Sequence, residues 1–391
     1  MKKLIEFVLF AFIFNSILFA QNITENTKKF VKGNIADKTA AVKESTGAEA
    51  AELSERGIDF VVKNQPVLGL DRELNSLAVA SILALPKEKS SLKQMNGLEQ
   101  KLVSIFNMFE DTTVRIAVLD KLDSVSDEST GEPGVSLMNG YMMSLKNSDL
   151  NEKSPVVEKT IVCLAHSGNS ESYKIIYRGW KTGSLKKYNE ATEQTLVTLS
   201  KTHRTDVTKV ISESTISELY NYFRLLKKSD QLSDEFKAEI AENALSVAIY
   251  NTEELSGNMT DTVNLQLDSL NTIADANWTR AAKLTVRFFS LAKQEYENHI
   301  MSEPNFIQVI KGIAKLSSTD SAQTLSGYLA EMNKNAEKNV IAAQDVVLAV
   351  IDSLGALGDK SAFDNLLYVT YLNYPENVKN NARNALAKLR W

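Results

Sequence analysis

A chain of 391 residues with 43% hydrophobic content, six prolines and sixteen glycines has ample apolar material for a core and too few turn-formers for a disordered chain. Its formal net charge of −5, with both signs interspersed, leaves no basic stripe of the kind that sequence-independent nucleic-acid binding requires. The lone cysteine, Cys163, excludes a framework of intrachain disulfides.

Residues 1–20 read as a secretory signal: Lys2 and Lys3 precede an apolar run ending at Ala20, and no cysteine stands near that point to take a lipid. An uncleaved membrane anchor is the alternative, because the run approaches the length of a span. Residues 21–56 are polar and rich in Ala, Lys, Glu and Thr, and read as a helical leader or tether. From Gly57 the apolar pattern becomes dense, with Pro66 expected to end its first segment. Helical spacing then recurs over 74–85, 98–109 and 113–122. Residues 124–155 are expected to be an irregular insertion: a loop through Pro133, a short apolar piece over 135–145, and a polar stretch to Pro155.

Beyond Pro155 the stretch 156–177 can be laid on 346–367, with Leu164 over Leu354, Gly168 over Gly358, Asn169 over Asp359 and Tyr173 over Phe363. Fainter copies lie at 193–211, 241–255, 263–274 and 280–292, and 307–325 precedes the last copy by about 40 residues. In that last copy Val347, Val350, Ile351 and Leu354 share one helical face. Gly358 is expected to end the helix in the left-handed conformation and Asp359 to cap the next. Ala362, Phe363, Leu366, Leu367 and Thr370 line a second helix, and Val378, Ala382, Ala385, Leu386 and Leu389 a third.

These residues, from Leu354, Gly355, Leu357, Gly358 and Asp359 through Ala362 and Leu366 to Val378, Lys379, Ala382, Ala385 and Leu386, resemble a HEAT repeat of the phycobilisome-lyase-like kind. Lys379 stands where that family usually has Arg. The resemblance implies an all-α fold: an α-solenoid of stacked antiparallel helix pairs over 57–391, with roughly seven to eight units at about 40 residues each. Trp391 is then expected to cover the last pair.

Chemistry-bearing residues are sparse. Cys163 and His166 are three apart on a helical face, which suits a core thiol and a capping imidazole as well as a ligand pair. His203 and His299 are isolated in polar surroundings. No phosphate loop, HExxH, GxSxG or GxGxxG is present. Glu253–Glu254, Asp127–Glu128, Asp120 and Asp123 read as solvated surface carboxylates. No catalytic residue, cofactor or metal is expected.

Tyr173, Tyr177 and Trp180 recur at i, i+4, i+7, with Tyr188 beyond them; such a face serves either as core between repeats or as a partner-binding surface. Tyr220, Tyr222 and Phe223, and later Tyr368, Tyr371 and Tyr374, pose the same choice. Lys186–Lys187, Lys227–Lys228 and Lys201–His203–Arg204 could line one edge as a positive ridge for an acidic partner. The expected function is a non-catalytic scaffold, periplasmic or secreted in a bacterium, holding a protein partner. The alternatives are an envelope enzyme acting on glycan or peptide, and a membrane-tethered adaptor.

Overall fold

The structure, a computed structural model, describes residues 24–69, 71–86, 88, 92, 95, 97–125, 132–253 and 259–390. The signal-like segment 1–20, the pair Asp127–Glu128, Glu254 and Trp391 lie outside them. The described residues form twenty α-helices and no β-strand, so the fold is all-α. They divide between Leu199 and Ser200 into two compact units.

The first unit begins with α1 (Glu25–Lys32) and α2 (Ile35–Glu44). The Asn34 side chain accepts from the Asp37 N–H at 2.8 Å while Asp37 accepts from the Asn34 N–H at 3.1 Å, a reciprocal cap that fixes where α2 starts. Next come α3 (Gly47–Leu68), α4 (Arg72–Leu83), α5 (Leu98–Met108), α6 (Thr112–Val125), α7 (Glu132–Ser144), α8 (Pro155–Ser167), α9 (Ser170–Thr182) and α10 (Asn189–Thr202), within which the division falls. Helices α2, α4, α6 and α8 pack each on the next, and α3, α5, α7 and α9 do the same in a second row. The rows are joined by α3 on α4, α5 on α6 and α7 on α8. Each helix thereby buries its apolar stripe against both rows, as Leu77, Leu102, Val118 and Leu164 do with no exposed surface.

Four expectations are corrected here. Residues 24–56 are helical but no tether: Phe30, Ala41, Val42 and Leu53 are buried, and α2 packs along α4. Helix α3 crosses the expected boundary at Gly57, where a β-carbon would sit 2.1 Å from Ser81 Oγ; the glycine lets α3 and α4 approach. Pro66 does not end that helix but lies in its last turn, and Gly69 terminates it at φ 62°. Finally, α7 is no insertion, since it continues the α3–α5–α9 row.

The second unit comprises α11 (Arg204–Glu213), α12 (Ile216–Lys228), α13 (Asp234–Glu253), α14 (Met259–Asp275), α15 (Ala282–Glu297), α16 (Glu303–Lys315), α17 (Thr319–Ala336), α18 (Gln344–Leu357), α19 (Phe363–Val369) and α20 (Glu376–Leu386). The same two-row packing recurs: α12, α14, α16, α18 and α20 in one row, α11, α13, α15, α17 and α19 in the other. Close approach within the first row is licensed by Gly312, whose β-carbon would meet Leu270 at 2.7 Å, and by Gly355 against Ala385 at 3.0 Å. Val347, Val350, Ile351 and Leu354 are completely buried, as their spacing requires. Gly358 is left-handed at φ 66°, and Asp359 accepts from the Ser361 N–H at 2.8 Å, capping a 3₁₀ turn that leads into α19. That backbone bond holds the Asp359 carboxyl below its usual pKa. Among the described residues no helix is long and apolar enough to cross a membrane.

Candidate functional site

Helix α9 and the turn after it build one wall of an open groove on the first unit. Asn169 starts α9 by accepting from the backbone of Glu171 and Ser172 at 3.0 and 3.1 Å. Gly183, at φ 71°, ends it. The turn then folds Leu185 back onto the helix: its N–H donates to the Gly179 carbonyl at 3.2 Å. A β-carbon at Gly179 would lie 2.4 Å from Leu185 Cδ1, so glycine is required for that return.

The aromatic set divides. Tyr173 has no exposed surface and belongs to the core. Tyr188 is 2% exposed, and its hydroxyl accepts from the Ser154 N–H at 2.8 Å and donates to the Glu152 carbonyl at 3.3 Å. It fastens the 145–154 connection instead of offering a surface. Tyr177 and Trp180 are half-buried together with centroids 6.1 Å apart, and the Trp180 indole N–H donates to Glu193 at 3.3 Å. The four rings therefore do not form one shared exposed patch.

A different face of α9 lines an open groove of about 1200 Å³, closed on the far side by the end of α7 and by the 145–154 connection. Its floor is apolar: Met142, Met143, Leu145, Leu150, Ile175 and Leu185. Its rim carries Lys174, Arg178, Lys186 and Lys187 against one carboxylate, Glu171. Among the described residues neither Lys174, Arg178 nor Lys186 is ion-paired. Lys187 donates to the Asn151 carbonyl, adding to the Tyr188 bonds that tie one wall to the other. The cationic pair Lys174 and Arg178 was hidden in the sequence by the tyrosines interleaved with it, although their i, i+4 spacing could have revealed it. Met142 and Met143 come from a segment that gave no repeat signal.

A second groove, of about 730 Å³, lies on the other side of α7, and there the cation is engaged. Arg115 Nε donates to the Phe109 carbonyl at 2.7 Å, and the guanidinium lies over the Phe106 and Tyr141 rings at 5.0 and 5.8 Å.

The other sequence candidates are held locally. The Cys163 thiol is fully buried, with Sγ 3.7 Å from the Leu119 carbonyl, and burial pushes its pKa up to about 12. It remains a protonated core thiol at neutral pH. His166 is exposed and 3.2 Å from Asp123, and Asp120 pairs with Lys159. The basic doublets do not make an open ridge: Lys227 pairs with Asp268 at 2.8 Å, Lys201 bonds Gln231 at 3.0 Å, and Arg204 meets Glu239 at 3.2 Å over the Phe236 ring. His203 is half-buried beside Thr202, while His299 is exposed at φ 61°. Tyr222, Phe223 and Tyr374 are core, Tyr220 bonds Asp268 at 3.2 Å, and Tyr368 and Tyr371 are exposed.

One carboxylate missed in the sequence is perturbed by its surroundings. Glu295, on α15, is 2% exposed, and Oε1 accepts at 3.1 Å from Gln266, which also bonds Thr252 at 3.0 Å. Burial raises its pKa above the ordinary glutamate value, and Oε2 has no partner. It sits in the packing of α13, α14 and α15, far from resembling a solvated acid–base pair. Among the described residues no group of three or more His, Cys, Asp or Glu side chains could hold a metal.

No protein-family model matches this chain, and no curated protein matches it.

Proposed function

We propose that this protein is a non-catalytic interaction scaffold: a HEAT-like array that holds a protein partner on its surface, working in the bacterial cell envelope. The observation that carries the reading is the preformed groove between α7 and α9, with an apolar floor, a cationic rim and walls bonded to each other. A surface fixed before binding loses little conformational entropy when a partner docks. The two-row helix packing supports an array, because stacked helix pairs present long surfaces built from many short elements. The export signal read in residues 1–20 supports the envelope location.

In-cell crosslinking followed by affinity purification and mass spectrometry tests this. One recurrent envelope protein, recovered stoichiometrically, is the expected result. Recovery of the protein alone and monomeric overturns the scaffold reading. Fractionation tests the location separately, and a chain found in the cytoplasm contradicts it.

A further inference from the structure

We infer that the α7–α9 groove takes an acidic amphipathic helical segment of its protein partner, an inference that rests on the interaction reading above. Charge complementarity carries it. The whole chain has a formal charge of −5, yet this rim gathers four cations against one carboxylate. Some cations elsewhere in the first unit are used internally: Arg115 lies over two aromatic rings, Lys159 meets Asp120, and Lys101 meets Asp59 at 2.7 Å. At the groove, among the described residues, Lys174, Arg178 and Lys186 form no ion pair.

The shape of the site selects among anions. Lys174 and Arg178 stand one helical turn apart, so carboxylates four residues apart on an incoming helix share their spacing. A helix so charged can turn its opposite face to the floor, where Met143 is 59% exposed beside Ile175 and Leu150. A volume of about 1200 Å³ accommodates one face of two to three helical turns, roughly 10 Å across. A polysulfated glycan would leave the apolar floor unused, and a flat bilayer surface cannot enter a concave site. Methionines on the floor suit a helix of this kind, since their unbranched side chains repack around different apolar partners.

Binding of a fluorescent synthetic Leu/Glu amphipathic helix to the full chain, read by anisotropy at physiological salt, tests the inference. A matched Leu/Lys helix, heparin and anionic vesicles serve as competitors and controls. Saturable binding of the Leu/Glu helix alone is expected. Joint Lys174→Glu and Arg178→Glu substitution should weaken it about tenfold. Met143→Glu should weaken it as well. All three positions are exposed, so melting temperature and helical content should not change; should the double variant misfold, Lys186→Glu carries the same test. Absent binding, binding indifferent to these substitutions, or equal binding of the Leu/Lys helix overturns the inference. Heparin or vesicle binding that depends on the same residues, without peptide binding, also overturns it in favour of a polyanion. A partner recovered in cells together with failure of the Leu/Glu helix removes the acidic segment while leaving the scaffold reading intact.

Discussion

The α8–α9 pair and the α18–α19 pair start from nearly the same text and end differently. Both place a buried leucine, Leu164 or Leu354, four residues before a glycine and follow the glycine with Asn or Asp. At Gly358 the backbone is left-handed, and Asp359 feeds a 3₁₀ turn and the short helix α19. At Gly168 it is extended, φ −64°, and Asn169 opens the longer α9 directly. In this register α9 runs three residues, 180–182, past the point that matches the end of α19, and they lead into the Leu185 turn that helps to form the groove. The apolar register sets the packing in both pairs. The cap and the polar positions off that register decide which pair presents a site.

If the register argument is right, the largest losses will be alike in the two pairs. Leu164→Ala and Leu354→Ala should each cost about 2–5 kcal/mol in chemical denaturation, since both side chains are fully buried. A near-neutral result at either position breaks the equivalence. Next in size, Tyr188→Phe should cost about 1–3 kcal/mol, because it removes the acceptor of the Ser154 N–H. Hydrogen exchange should rise at Ser154, and its failure to do so would detach the 145–154 wall from this account. Gly358→Ala should cost about 1 kcal/mol, set by the left-handed backbone at that cap. Smallest is Lys227→Ala, at well under about 1 kcal/mol, because the Lys227–Asp268 pair is partly solvent-screened.

A pH experiment sharpens the contrast with the second unit's core. The folded pKa of Glu295 lies above its ordinary value of 4.5, so the folded state holds the proton more tightly. The associated stability is fully present below that value and is lost as pH rises through the folded pKa. Glu295→Gln should therefore raise the melting temperature at neutral pH and flatten its decline with rising pH. An unchanged profile would show that the unpartnered Oε2 is not buried as described.

Much of this fold was legible as periodicity. Val347, Val350, Ile351 and Leu354 announced a buried face, and Gly358 and Asp359 announced a cap, because these signals are local. Residues 24–56 misled because Ala41 and Val42 are small, and their burial depends on α4, distant in the chain. Pro66 misled because its missing N–H gives up one bond to the preceding turn without preventing Val67 and Leu68 from completing the helix before Gly69. The aromatic quartet drew attention through spacing, yet spacing does not distinguish a core ring such as Tyr173 from an exposed one. The groove was illegible for a different reason: its floor and rim join Met143 to Leu185 and Lys186 only through the packing of α7 on α9.

On the proposed function, the partner docks at α7–α9 and not on the α18–α19 surface. A photocrosslinking amino acid placed in living cells at Met143, and separately at Tyr371, tests it most directly, both positions being exposed at 59% and 75%. One recurrent protein crosslink is expected from position 143, mapping to an acidic amphipathic segment, and none from position 371. The same partner captured from 371 and not from 143 would contradict it.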